Sequence, residues 1–422
     1  MFSTLVLLLF TVAVVIVCLS TVPMPELYPS FAFLALLVVV FVFYTKEFIN
    51  SLKKNKFGLM GVFLAFYFIS MWIARGMSVS VGLTVYMIMS VSPILLYDVY
   101  AKRSRFFIGV LLLIVTIVLI VDSIYGFELM AFLGDRGLKD SVLQEYEDKF
   151  LRNGFYLVYS LVISIPVFIM ILTKKRYYPK NFFLRIIFFV VFAALIAYFS
   201  FFIFRASFTT ALVLTIGFGV LSLLPEKKNI LPIALVTSVF FIIVFLLSYD
   251  TIINSLKKDD TADRMLAPRV EEIHDVLTGK AHEAEDMGER QNLTFSSLQT
   301  FIFNPLFGVT WESKSFEYEE TVLGVGHHSE WFDMLARFGL FAFLLISYTA
   351  RALKRHYEDT GQKLYIFLYI VLGFLNPMYN LFINFITFCY VPLLFVFFLG
   401  NKSPLLSNKK KNSKISMSHL PQ

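Results

Sequence analysis

Apolar stretches of about 20 residues, the length needed to cross roughly 30 Å of hydrocarbon, follow one another along most of this chain. They cover residues 4–20, 29–45, 57–74, 82–98, 106–122, 154–173, 182–203, 206–224, 230–249, 334–350, 364–379 and 381–399. Each predicts a helix, because a segment in lipid must satisfy its own backbone hydrogen bonds. The last two meet at Asn376-Pro377-Met378-Tyr379-Asn380, a turn signal. Two longer polar stretches interrupt the pattern, a moderate one over 123–153 and a large one over 250–333. The predicted fold is therefore an all-α polytopic membrane protein with about 12 transmembrane helices. Residues 1–249 hold the first nine spans, 250–333 a large loop, 334–399 the last three spans and 400–422 a basic tail.

The large loop has a helical period of its own. Met265, Val270, Ile273 and Leu277 recur between Arg264 and Leu277, and Leu293, Leu298 and Phe301 between Glu289 and Phe303. Both faces predict short amphipathic helices at the membrane surface, the second broken by Asn304-Pro305. A bare spacer would be rich in Ser, Gly and Pro instead. Ser329 is the predicted N-cap of the span that follows. Asp333 and Arg337, four apart on that helix, predict an intrahelical ion pair.

Composition removes the soluble alternative. Fifty-eight per cent of the 422 residues are apolar and 16% charged, against about 45–50% and a quarter in soluble domains. A net charge of +7 would suit nucleic acid, but its distribution argues otherwise. Lys and Arg fall in short runs between spans, as at Lys53–Lys54, Lys102–Arg103, Lys174–Lys175–Arg176 and Lys409–Lys410–Lys411. That pattern orients a chain in a bilayer. With both termini cytoplasmic, the inner segments carry 22 Lys/Arg and 5 Asp/Glu, and the outer segments 12 and 25. Arg185, Arg205 and Arg337, at or within spans, complete the total. Loop 250–333 is then extracytoplasmic, with 17 of the 30 carboxylates and four of the six histidines. Cys18 and Cys389 lie in spans, so no disulfide framework is expected. Residues 4–20 read as a retained span rather than a cleaved signal.

Three polar positions stand out for chemistry. His328 precedes the predicted helix start at the membrane boundary, where the helix N-terminus disfavours an imidazolium and leaves the ring able to accept a proton. Packing at an interface is the competing role. Arg205 interrupts a long apolar stretch near a predicted outer turn, where an ionisable group is costly and often functional, unless it snorkels to headgroups. Arg290 opens the second loop helix, and a guanidinium suits a diphosphate because its planar donors are bidentate. Arg264 and Arg269 read better as local salt-bridge partners, Arg185 as a residue reaching the inner headgroups, and Glu330 stays open. No phosphate-binding Gly-Lys loop and no Gly-x-Ser-x-Gly site occurs, and His327-His328 lacks the spacing of a helical zinc pair. No metal site and no cofactor is predicted.

Taken in order, these features resemble the bacterial O-antigen ligase/polymerase family. The resemblance rests on Phe204-Arg205-Ala206-Ser207, on Gly288-Glu289-Arg290 followed by Asn304-Pro305-Leu306-Phe307-Gly308, and on Gly326-His327-His328-Ser329-Glu330-Trp331 through Arg337-Phe338-Gly339-Leu340. It covers mainly 200–350. Ser329 stands where many relatives have Asn. The resemblance implies a glycosyltransferase of the bacterial inner membrane that uses neither metal nor nucleotide. Its substrate would be a polyprenyl-diphosphate-linked oligosaccharide and its acceptor a sugar hydroxyl on the outer face. Arg205 and Arg290 would neutralise the diphosphate, His328 would orient or deprotonate the acceptor, and Glu330 would contact substrate. Membrane lipids, a chain-length regulator and a flippase are implied partners.

The form of the helix start favours a repeat-unit polymerase of O-antigen or capsule. The near alternative is the ligase that moves finished glycan to lipid A core or another acceptor. A flippase for the same lipid-linked sugars is the alternative of another class. Such transporters often show two related halves and mid-membrane charges, whereas this chain concentrates its polar residues in one loop.

Overall fold

The computed structural model of the protein describes residues 2–19, 27–55, 58, 61–63, 65, 67, 69, 93–133, 151–205, 209–223, 243, 245–258, 267–278, 285–309, 316–318, 321–326, 329–375 and 381–399. Among them the fold is helical apart from one hairpin. The helices are α1 (Phe2–Leu19), α2 (Leu27–Phe43), α3 (Thr45–Lys54), α4 (Arg105–Leu133), α5 (Leu151–Thr173), α6 (Phe182–Arg205) and α7 (Thr209–Leu223). They continue with α8 (Ala267–Leu277), α9 (Glu285–Phe303), α10 (Glu330–Phe338), α11 (Ala342–Thr360) and α12 (Leu364–Leu375). The last, α13 (Leu381–Phe385), runs through a π turn at Ile386–Tyr390 into α14 (Val391–Leu399). Between α9 and α10, β1 (Phe316–Tyr318) pairs antiparallel with β2 (Thr321–Leu323), a hairpin that the sequence does not predict.

Four described helices are long and apolar enough to cross a membrane: Arg105–Phe127, Phe182–Arg205, Glu330–Thr360 and Phe382–Leu399. The α2–α3 pair, bent by 111°, makes a fifth if it counts as one broken span. Shorter apolar helices at Leu5–Val14, Leu157–Thr173, Val213–Leu223 and Leu364–Leu375 fall inside four more predicted spans. Spans 57–74, 82–98 and 230–249 lie only partly within the described residues. The loop helices appear where the apolar period puts them, at Ala267–Leu277 and Glu285–Phe303, and the second stops immediately before Asn304-Pro305. Helices overrun the apolar runs at α4 and α11, because charged residues such as Lys, Arg and Glu continue a helix as readily as leucine does.

α6 is apolar on all sides and divides its residues by size of partner. Phe188, Phe192, Phe199, Phe202 and Ile203 are buried, while Phe182, Phe183 and Val190 are exposed. Such a helix belongs between a protein core and lipid. α3 is the opposite case, a polar helix turned sharply away from α2.

The segments that charge counting puts on the cytoplasmic side meet at one end of the bundle. Asp98 accepts hydrogen bonds from Ser51, from Asn55 Nδ2 (3.2 Å) and from Arg355. Arg355 donates also to Asn55 Oδ1 at 2.8 Å and lies 3.8 Å from Asp359. Tyr97 donates to Asp359 at 3.2 Å, and Gln362 Nε2 donates to the Tyr177 hydroxyl at 2.9 Å. Arg103 pairs with Glu47 at 3.3 Å and stacks over Tyr44. Parts of the chain as distant as α3 and α11 are thereby fixed by one carboxylate.

Arg185 also lies at this end. Its Nε donates to the Pro179 carbonyl at 3.3 Å.

Arg355→Ala strands the buried Asp98 carboxylate and is expected to cost about 3–5 kcal/mol, read as a lower thermal unfolding midpoint in detergent. Arg355→Lys should recover only part of that, since an ammonium cannot reproduce the fork that reaches Asn55 and Asp98 together.

Candidate functional site

The opposite end of the bundle is organised by α9. Leu293, Ser297 and Thr300 recur at helical spacing and form one face, and the segment 324–326 lies along it. Thr300 Oγ1 accepts the Gly324 N–H at 2.8 Å and donates to the Gly324 carbonyl at 2.9 Å. The Gly326 N–H donates to Ser297 Oγ at 2.8 Å, and Ser297 donates in turn to Asp333 Oδ1 at 2.6 Å.

After α9 the chain turns at 304–309 and locks onto the end of α10. The Leu340 N–H donates to the Pro305 carbonyl at 2.7 Å, and the Val309 N–H to the Ala336 carbonyl at 2.9 Å. Gly308 has φ +65° and Gly339 φ +57°, ψ −139°, conformations that L side chains avoid. A Cβ on Gly308 would collide with the Arg337 carbonyl group, and one on Gly339 would meet the Pro305 oxygen at 2.5 Å. Each glycine is thus required by the other's segment. Two of the short motifs read from the sequence, Asn304-Pro305-x-x-Gly308 and Arg337-Phe338-Gly339-Leu340, are the two halves of one backbone joint.

α10 ends at this joint and begins against α9 and α12. Ser329 occupies the N-cap position, as expected, with extended backbone, but its hydroxyl makes no cap. It donates instead to the Gly373 carbonyl of α12 at 3.3 Å. The capping is done in reverse, with Asp333 Oδ2 accepting the Ser329 N–H at 3.3 Å. Asp333 thus accepts from Ser297 through Oδ1 and from Ser329 through Oδ2, two contacts beyond the helix-face relation read from the sequence. Trp331 Nε1 donates to the Ile370 carbonyl at 3.0 Å, which ties α10 to α12 a second time. Glu330 is buried in the first turn of α10, where the helix N-terminus favours a carboxylate.

The expected site residues fall around this assembly. Arg290 lies in α9, three residues before Leu293 and seven before Ser297, so its backbone position is on the same face; its side chain lies outside the described part. His328, with His327, lies outside the described residues and is joined by one peptide link to Ser329. Arg205 is the last residue of α6, partly buried.

Helix directions put Arg205 at this same end. Gln362, just before α12, bonds to Tyr177, just after α5, so α5 and α12 run antiparallel. Gly219 in the last turns of α7 faces Ile169 in the last turns of α5, and Phe218 packs on Phe367 at 5.8 Å. The start of α7, and with it Arg205, therefore shares the end of the bundle where Ser329 reaches Gly373. Of the remaining arginines, Arg264 lies outside the described residues, and Arg269 is in α8 with its side chain outside the described part. His274 in α8 stacks on Tyr249 at 3.7 Å, and Glu271 pairs with Lys257 at 3.3 Å, which ties this loop helix to the segment 249–257.

An apolar edge borders the site. Ile302 and Phe303 are 62% and 65% exposed, and Leu306, Leu340 and Phe343 are exposed beside them. Phe307 stacks on Phe341 at 5.8 Å, so the edge is continuous with the candidate span Glu330–Thr360. Among the described residues no three His, Cys, Asp or Glu side chains converge as metal ligands would.

Residues 205–347 match the family model described as O-Antigen ligase. This segment, about a third of the chain, is similar to the O-antigen ligase family. A comparison with curated proteins gives no match. The matched segment begins at Arg205 and ends within α11, so it contains α9, the backbone joint and α10 together. Sequence reasoning missed Ser297 and Thr300, the residues that hold its 324–326 stretch. Their signal was faint: two small hydroxyls one turn apart, on the helix face already marked by Leu293.

Gly339→Ala forces a β-carbon into a conformation essentially restricted to glycine and into Pro305. A loss of at least about 1–2 kcal/mol is expected, visible as faster amide exchange at 305–309 and 336–340 while α4 and α6 stay protected.

Proposed function

We propose that the protein is a surface-polysaccharide polymerase that joins polyprenyl-diphosphate-linked repeat units on the outer face of the inner membrane. The Gly326-His327-His328-Ser329-Glu330-Trp331 form of the helix start supports the polymerase, and the donor chemistry is supported by the O-antigen ligase match over 205–347. It starts at Arg205 and takes in Arg290 and the segment before α10. To these positions this reading assigns the lipid diphosphate and the acceptor hydroxyl.

In the proposed reaction a sugar hydroxyl of the acceptor attacks the anomeric carbon of the donor glycan. The bond between that carbon and the diphosphate oxygen breaks, and the polyprenyl diphosphate leaves with the electron pair. His328 takes the hydroxyl proton. Arg205 and Arg290 offset the charge that grows on the leaving diphosphate, each through planar donors matched to phosphate oxygens. The energy of the new glycosidic bond comes from the donor, so no nucleotide is consumed. The apolar edge at Ile302, Phe303 and Leu306 suits contact with lipid beside the site. About twelve spans, both termini cytoplasmic and loop 250–333 outside complete the topology of this reading, supported by the charge distribution.

The ligase reading keeps the donor chemistry and changes the acceptor to lipid A core or another finished molecule. The family's own description, O-Antigen ligase, favours it. The glycan profile of a strain lacking the protein separates the two. Single repeat units on the acceptor are expected for a polymerase, whereas complete lipid-linked polymer without transfer overturns it in favour of a ligase.

Arg290→Ala is expected to abolish polymer while the protein stays in the membrane; an unchanged chain-length distribution removes Arg290 from the site. In nanodiscs His328→Gln should lower the turnover rate by roughly 10²–10⁴-fold. Arg205→Lys should keep little activity if bidentate contact matters, and full activity of Arg205→Ala excludes it from the reaction.

A further inference from the structure

We infer that Ser297 and Asp333 are positioning residues that fix the His327–His328 dipeptide at both of its ends, an inference resting on the proposed role of His328 as base. The dipeptide is flanked by Gly326 and Ser329. The Gly326 N–H donates to Ser297 Oγ at 2.8 Å, and the Ser329 N–H donates to Asp333 Oδ2 at 3.3 Å. The two receiving side chains are themselves joined, Ser297 donating to Asp333 Oδ1 at 2.6 Å. One serine–carboxylate pair therefore holds the backbone immediately before and immediately after the two histidines. Both side chains are buried, so water does not substitute for either partner at low cost.

The direction of the hydrogen bonds makes the pair act as a unit. The Ser297 hydroxyl has one proton to give. It gives that proton to Asp333, which leaves its lone pairs to receive Gly326. Asp333, having no proton of its own to give as a carboxylate, uses its second oxygen for Ser329. Removing either side chain frees one flank directly and leaves the other partner short of a bond. Neighbouring contacts do not duplicate this. Thr300 holds Gly324, two residues upstream of the pinned segment, and the Ser329 hydroxyl is directed away, to Gly373. A side chain at residue 326 would also collide with the Leu293 carbonyl, so the segment lies against α9 with no space to shift inward.

The consequence is geometric. Arg290 belongs to the same face of α9 as Ser297, and the Cα of His328 is one peptide link, about 3.8 Å, from that of Ser329. The clasp thus fixes the residues on either side of the dipeptide to the helix that carries Arg290, the arginine proposed for the diphosphate. It acts on the acceptor side of the reaction, through orientation of the base, and leaves the donor's charge contacts to the arginines.

The test uses the full-length chain in nanodiscs with a polyprenyl-diphosphate-linked repeat unit as donor. Ser297→Ala and Asp333→Asn are each expected to lower kcat by roughly 10–100-fold, with donor KM within about twofold. Ser297→Thr, which keeps the hydroxyl, is expected to recover most of kcat. Amide exchange over 324–329 provides a readout independent of turnover, and should accelerate in Ser297→Ala while exchange in α4 and α6 is unchanged. Unchanged kcat in Ser297→Ala and Asp333→Asn overturns the positioning role, as does a loss that lies mainly in donor KM. A wild-type chain that does not turn the donor over sinks the polymerase reading and the positioning role with it; accelerated exchange would then identify a purely structural clasp.

Discussion

A polar group in hydrocarbon without a partner is costly, and among the described residues two carboxylate-centred clusters, one at each end of the helical bundle, show how this chain supplies partners. At one end Asp98 collects Ser51, Asn55 and Arg355. At the other, Asp333 collects Ser297 and Ser329. In each case a single carboxylate is the hub, because two oxygens with several lone pairs can serve donors from different segments at once. The two hubs differ in what they join. Asp98 gathers cationic and polar side chains from distant helices, and so secures the bundle. Asp333 gathers a serine and a backbone amide within one local assembly, and so sets the shape of a short segment.

This difference explains what could be read from the sequence. Helix positions were legible wherever an apolar period ran long enough, and α8 and α9 sit where Met265 to Leu277 and Leu293 to Phe301 placed them. The joint between 304–309 and α10 was half legible. Its two glycine motifs were visible as motifs, but nothing in the spacing said that Gly308 and Gly339 face each other. Asp333 was linked in the sequence only to Arg337, because a linear pattern reveals neighbours within a turn or two of one helix. The contact it makes with Ser297 spans 36 residues, and that of Arg355 with Asp98 spans 257. Such pairs depend on how helices cross, which periodicity does not encode. The hairpin at β1 and β2 escaped notice for a related reason: three-residue strands are shorter than any period.

Charge counting and motif reading draw on different signals. The segments 45–55, 98–103, 174–178 and 355–363, all assigned to one side of the membrane by their Lys and Arg content, meet at one end of the bundle. The segments 293–309 and 324–333, assigned to the other side, meet elsewhere, and helix directions add Arg205 to them. Positive charge is distributed by the energetics of membrane insertion over whole loops, so many residues report the same fact. A catalytic role is reported by one residue each, which is why Arg205, Arg290, His328 and Glu330 needed the family resemblance to acquire roles.

In the proposed transfer the donor brings its own energy, so the protein contributes by placement alone: two cations at the leaving diphosphate and one base at the acceptor. Placement by side chains alone would be soft, since arginine and histidine each carry several rotatable bonds. The structure answers with backbone. The 304–309 turn and the end of α10 hold each other through main-chain hydrogen bonds to Pro305 and Ala336, and the segment before α10 is held through its own amides at Gly324, Gly326 and Ser329. Contacts of this kind fix where a residue starts rather than where its side chain ends.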